Sequence, residues 1–86
     1  MPLIALIYGI RVTMDYDDNN PPHFHAEYNG YSALIEISKA RVIKGNLLSR
    51  QLKLILAWCV LHQDELMQNW ELTKDDKELN KINPLI

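Results

Sequence analysis

The stretch that decides the fold is His23-Phe24-His25-Ala26-Glu27-Tyr28-Asn29-Gly30-Tyr31-Ser32-Ala33-Leu34-Ile35-Glu36. Asn29-Gly30 lies between two alternating segments. Both residues tolerate the positive φ of a two-residue type I′ turn, so the pair is a strong hairpin signal. Such a turn fixes register. Tyr28 then faces Tyr31, Glu27 faces Ser32, Ala26 faces Ala33, His25 faces Leu34, Phe24 faces Ile35 and His23 faces Glu36. Successive strand residues point to opposite sides of the sheet. Phe24, Ala26, Tyr28, Tyr31, Ala33 and Ile35 therefore form an apolar face for the core. His23, His25, Glu27, Ser32, Leu34 and Glu36 form the other, which is either solvated or a site.

Upstream, Leu3 to Tyr8 is a short apolar run ended by Gly9. Ile10 to Tyr16 alternates, with Arg11, Thr13 and Asp15 on its polar side. Asp17 to Pro22 holds only acids, amides and prolines and reads as a loop. Pro21-Pro22 forces extended backbone into the hairpin. Downstream, a strand near Arg41 to Lys44 follows a turn at Lys39-Ala40, in a register the sequence leaves open. The period then changes: Leu48, Leu52, Ile55, Leu56, Cys59, Leu66 and Trp70 recur at helical spacing. The expected fold is α+β, an antiparallel sheet of about four strands packed on one face by one long C-terminal helix. One domain would span 1–86, with strands over about 3–45, the helix over 47–72 and an extended tail over 73–86.

Size and composition narrow the functions. A chain of 86 residues buries only about 60–65% of its extended surface. That supports one core and excludes a multi-domain enzyme with a deep cleft. A net charge of −2 excludes a basic, histone-like binder. The single cysteine, Cys59, excludes an intramolecular disulfide framework and fits a reducing compartment. The N-terminus lacks a basic n-region and a cleavage site. The apolar run Leu52 to Leu61 is about half a membrane span. We expect a cytoplasmic protein with no membrane partner.

The candidate chemistry lies on the polar hairpin face. His23 and His25 are two apart on a strand and point the same way, with Glu36 opposite His23 and Glu27 next along. Two imidazoles and a carboxylate can hold a divalent metal such as Zn²⁺, Mn²⁺ or Fe²⁺ with positions open to water. Nothing in the sequence requires one. Without a metal, the same histidines can serve as general base and general acid on a phosphodiester or ester, with His23, His25 and Glu36 as the catalytic set. Arg11 lies on the polar face of the preceding strand. With Lys39, Arg41 and Lys44 it can contact phosphate. In the plainer alternative both rings are structural, hydrogen-bonded to Glu36 or Asn20. Cys59 and His62 are spaced for a metal, but Cys59 falls inside the core stripe. His-Phe-His also resembles the metal-binding strand of single-strand endonucleases with a tyrosine nucleophile, yet the helix here has no tyrosine. No phosphate-binding glycine loop or Gly-x-Ser-x-Gly elbow is present.

Leu54, Trp58 and Leu61 project from the side of the helix opposite its core stripe. Either the N-terminal strand or the tail covers them, or they form an interface with a protein partner or a second copy. A small domain has few residues to cover two helix faces.

Several segments together resemble the bacterial domain of unknown function 4160 family. They are Met1-Pro2-Leu3-Ile4 with Tyr8-Gly9-Ile10, Asn19 through Tyr28, Ala33-Leu34-Ile35-Glu36-Ile37, Trp58 with Leu61-His62, Glu65-Leu66, Asn69-Trp70-Glu71-Leu72, and Leu79 to Leu85. The Asn-Pro-Pro-His-Phe-His-Ala block is the most specific, and the resemblance spans about the full chain. It implies the strands-then-helix order. It also implies small gene neighbours, notably the domain of unknown function 2442 family, in arrangements like toxin–antitoxin pairs. The resemblance thus suggests an interaction module with Leu54, Trp58 and Leu61 as its docking face. The alternative is a small RNA-directed or other phosphodiester hydrolase working from the His-x-His face.

Overall fold

A computed structural model describes residues 2–84. Met1, Leu85 and Ile86, which the expected single domain and tail include, lie outside the described residues. The hairpin forms as its turn dictates. Asn29 and Gly30 take φ of 50° and 85°, and β3 (His23–Tyr28) pairs antiparallel with β4 (Tyr31–Glu36) in the expected register, His23 opposite Glu36 through Tyr28 opposite Tyr31.

The fold is α+β with five strands, where the sequence suggested about four. Leu3 to Tyr16 supplies two of them, β1 (Leu3–Ile7) and β2 (Ile10–Thr13). Tyr8 and Gly9 both have positive φ and make a second tight turn between them. β5 (Arg41–Gly45) pairs with β4, placing Arg41 opposite Glu36 and Lys44 opposite Leu34 across a register shift at Leu34/Ile35. The strand order is β1-β2-β3-β4-β5, a simple antiparallel meander.

The expected single helix is two, α1 (Ser49–Leu61) and α2 (Gln63–Lys74). The break is His62, at φ −123° and ψ 25°. Its backbone N–H is shared between the carbonyls of Trp58 and Cys59. The Gln63 amide donates to the carbonyls of Ile37 and Ser38 at 2.9 and 3.1 Å, tying the break to the end of β4. Buried positions keep helical phase across it, running Ile55, Cys59, Leu66, Trp70, Thr73. The sequence therefore carries no sign of an interruption.

The helices cover one sheet face. Val12, Met14, Phe24, Ala26 and Ile35 meet Ile55, Trp58, Cys59 and Leu66 there, all with no exposed surface. Each such aliphatic side chain contributes about 1.5–3 kcal/mol by leaving water. Phe24 and Trp58 pack edge-to-face with centroids 5.9 Å apart. The tail returns along the core. Ile82 donates its backbone N–H to Ile4 O, and the buried Asn69 side chain both accepts from Asn80 N and donates to Asn80 O, each at 2.9 Å. No helix of the described residues covers the opposite sheet face. Two transverse rows cross it, Leu6–Arg11–Glu27–Ser32 and Thr13–His25–Leu34–Lys44.

Candidate metal centre and adjoining clefts

β3 sends His23 and His25 to one side, with ring centroids 5.5 Å apart. His23 is buried at the start of the strand, its ring 5.4 Å from that of Trp70 on α2. His25 is partly open. The carboxylate that meets them is Asp18, from the loop between β2 and β3. One Asp18 oxygen, Oδ2, stands 3.0 Å from His25 Nε2 and 3.2 Å from His23 Nε2. Asp15 Oδ2 is 3.6 Å from His25 Nε2. Asp18, His23 and His25 each offer a ligand atom within 4.8 Å of the others, and no further group of this kind occurs among the described residues.

The loop is fastened on both sides. The Asn20–Pro21 bond is cis. Pro21 O lies 2.8 Å from His23 Nδ1, and Ile37 N donates to Pro22 O. Lys74 donates its ammonium to Asp18 O, and Tyr16 donates its hydroxyl to Lys77 O. Since a carbonyl only accepts, His23 Nδ1 carries the proton it shares with Pro21. In the neutral ring, Nε2 then presents a lone pair to Asp18. Two electron-rich atoms 3.2 Å apart call for a cation between them, a metal ion or a second ring proton.

Glu36 does not join the histidines. It is opposite His23 in register, but its carboxylate accepts from Arg41 Nε at 2.7 Å and lies 3.5 Å from Ser38 Oγ. Its partner comes from β5, the strand that the sequence left without a register. Asp18 was missed because its place depends on the β2–β3 pairing. A usable signal existed for Asp15: Thr13 lies opposite His25, so period two brings Asp15 toward the same end of the same face.

The expected phosphate contacts separate. Arg11 lines an open cleft of about 410 Å³ together with Thr13, Asp15, His25, Glu27 and Ser32. Lys44 lines a neighbouring cleft of about 260 Å³ with His25, Ser32 and Leu34. Arg41 is held by Glu36, and Lys39 is exposed at the β4–β5 turn, lining neither cleft.

The expected docking face also divides. Trp58 has no exposed surface and donates its indole N–H to Asn83 O at 2.9 Å, so the tail covers it within the chain. Trp58 is thereby corrected from interface residue to core residue. Leu54 is half-buried, while Leu61 is 59% exposed beside Val60 at 57%. Cys59 is buried, its thiol directed at Ile37 O, and burial raises its pKa from 9.0 to about 11. His62 Nδ1 pairs with Glu65 at 2.6 Å.

No helix among the described residues is long and apolar enough to cross a membrane. No curated protein and no solved structure is detectably similar to the chain. A protein-family model does match it, over residues 9–71; its description is Domain of unknown function (DUF4160).

Proposed function

The chain belongs to the DUF4160 family, and from the convergence of His23, His25 and Asp18 we propose that it binds a divalent transition metal. The three-atom cluster carries this reading. Metal–nitrogen and metal–oxygen bonds of about 2.1 Å separate neighbouring ligand atoms by about 3.0–3.4 Å. The Asp18 oxygen stands 3.0 and 3.2 Å from the two imidazole nitrogens. A ligating histidine ordinarily donates its other ring N–H to a carbonyl or carboxylate, as His23 does to Pro21. Two imidazoles and one carboxylate suit Zn²⁺, Fe²⁺ or Mn²⁺ and leave positions open toward the cleft.

The test is metal content by mass spectrometry and calorimetric titration with Zn²⁺. The wild type takes up one equivalent. At a free concentration about 100 times Kd this stabilises the fold by about 2.7 kcal/mol, a rise in Tm on the order of 10 °C or more. Asp18→Ala and His25→Ala lose both effects. A wild type with no bound metal and an unmoved Tm overturns the reading and leaves the cluster as an ion-paired loop anchor.

A second reading, contact with a protein partner in a toxin–antitoxin-like pair, is favoured by the adjacent exposed side chains Val60 and Leu61. It is tested by co-expression with the neighbouring gene product. Capture of that partner by the wild type but not by Leu61→Glu supports it; capture by neither overturns it.

A further inference from the structure

Of the two clefts, the one of about 410 Å³ holds a cation, Arg11, that the described residues leave unpaired. Arg11 projects from the open sheet face, directly opposite Glu27 in register. Even so, Arg11 makes no ion pair within 4.0 Å among the described residues, whereas Arg41 pairs through Nε with Glu36. His25 and Asp15 line the cleft with Arg11, so a metal held at His25 would border the same space. Thr13 and Ser32 add hydroxyls to its wall. Arg11 pairs with Glu27 and Thr13 with His25, so Arg11 and His25 are diagonal neighbours, about 7–8 Å apart and within reach of a long side chain; Arg11 and a metal held from β3 can then share one small anion.

The charges set a condition. Without a metal, Asp15, Asp18 and Glu27 outnumber Arg11 around this space and repel anions. A divalent ion offsets two of the carboxylates and Arg11 the third, which removes the net repulsion and leaves the metal and the guanidinium as local points of attraction. Arg pairs with phosphate through two parallel N–H donors, a geometry that gives selectivity as well as attraction.

We propose that the metal-loaded cleft binds a phosphoryl group, one oxygen in an open metal position and others on the Arg11 guanidinium. This rests on the metal reading above. The phosphoryl group can come from a mononucleotide or from the backbone of single-stranded RNA. The second cleft bears on that choice: Lys44 lies two strands from β3 in the row of His25, one row from Arg11, so the two cations stand on opposite sides of His25 in adjoining clefts. A polyanion can touch both, whereas a mononucleotide reaches only one.

The experiment measures zinc content first, then titrates the zinc-loaded protein with adenosine 5′-monophosphate and, separately, with an eight-nucleotide single-stranded RNA. Adenosine 5′-monophosphate should bind the loaded wild type and not the metal-free protein. Arg11→Met should keep its zinc and lose about tenfold or more in phosphoryl affinity, about 1.4 kcal/mol or more. RNA binding at least tenfold tighter than the mononucleotide, and weakened by Lys44→Ala, assigns the polynucleotide. Equal affinities, indifferent to Lys44→Ala, assign the mononucleotide. A loaded wild type that binds neither, or an Arg11→Met variant that binds both unchanged, overturns the proposal and leaves the metal reading standing. A wild type that takes up no zinc overturns both.

Discussion

Replacing Trp58 with phenylalanine separates a core tryptophan from a docking one. The indole is fully buried, packs edge-to-face on Phe24 and holds the tail through Asn83 O. Phenylalanine keeps an aromatic ring but loses the N–H. The lost hydrogen bond costs about 1 kcal/mol. The smaller ring leaves a gap worth about another 1–2 kcal/mol. At about 4–8 °C per kcal/mol for a domain of this size, the total lowers Tm by about 10–20 °C. Trp58→Ala should cost about 3–5 kcal/mol, and Trp58→Glu, which places a charge where the ring was, should leave the chain unfolded. Thermal melts followed by circular dichroism read all three. The native wild type should also show blue-shifted fluorescence, since Trp70 is nearly buried as well. A Trp58→Phe melt within about 2 °C of wild type, with a folded Trp58→Glu protein, would refute the placement and return Trp58 to an outer face.

Asn69→Ala removes both hydrogen bonds to Asn80 and should cost about 2–3 kcal/mol. Hydrogen exchange should quicken more at the Ile82 amide, bonded to Ile4 O, than in the β3–β4 hairpin; uniform quickening would argue against a tail clamp. Burial raises the Cys59 thiol to about 11, so it should resist thiol reagents near pH 8 in the native protein and react once urea unfolds it. The unfolded thiol loses its proton first, so stability should fall as pH climbs from 9.0 toward about 11. Urea unfolding near pH 8 and near pH 10, compared between wild type and Cys59→Ala, isolates that loss.

What the sequence revealed and what it withheld follow from how far apart the deciding residues lie. The β3–β4 hairpin was readable residue by residue because two adjacent residues, Asn29 and Gly30, set its turn. The helix break was not, since His62 is neither glycine nor proline and its cause is a distant contact, Gln63 to the end of β4. Helical phase set Trp58 apart from the core stripe and left open whether the tail or a partner covers it, because that choice rests on a tail returning from Ile82 and Asn83. Two of the three residues of the metal candidate were visible in the sequence. His23 and His25 share a face by simple alternation, but their carboxylate needed the β2–β3 pairing and a loop held by Lys74. Glu36 was a sound choice on register, displaced because β5 brings Arg41 opposite it.

The loop also fixes which nitrogen of His23 would face a metal. Pro21 O accepts from Nδ1, so that nitrogen keeps its proton and only Nε2 has a lone pair to give. Ligation through Nδ1 would require the ring to flip, breaking the bond to Pro21 and turning away from Asp18 Oδ2. The ring has little room to do so, with His25 5.5 Å away on one side and Trp70 5.4 Å away on another. The zinc-loaded protein should therefore show His23 bound through Nε2 with a slowly exchanging Nδ1 proton. Long-range nitrogen–proton correlation spectra on labelled protein distinguish the two ring nitrogens. Zinc on Nδ1 would mean that the loop rearranges around the ion. Zinc on Nε2, with the Pro21 bond kept, would mean that the Asn19–Pro22 segment holds His23 ready before any metal arrives.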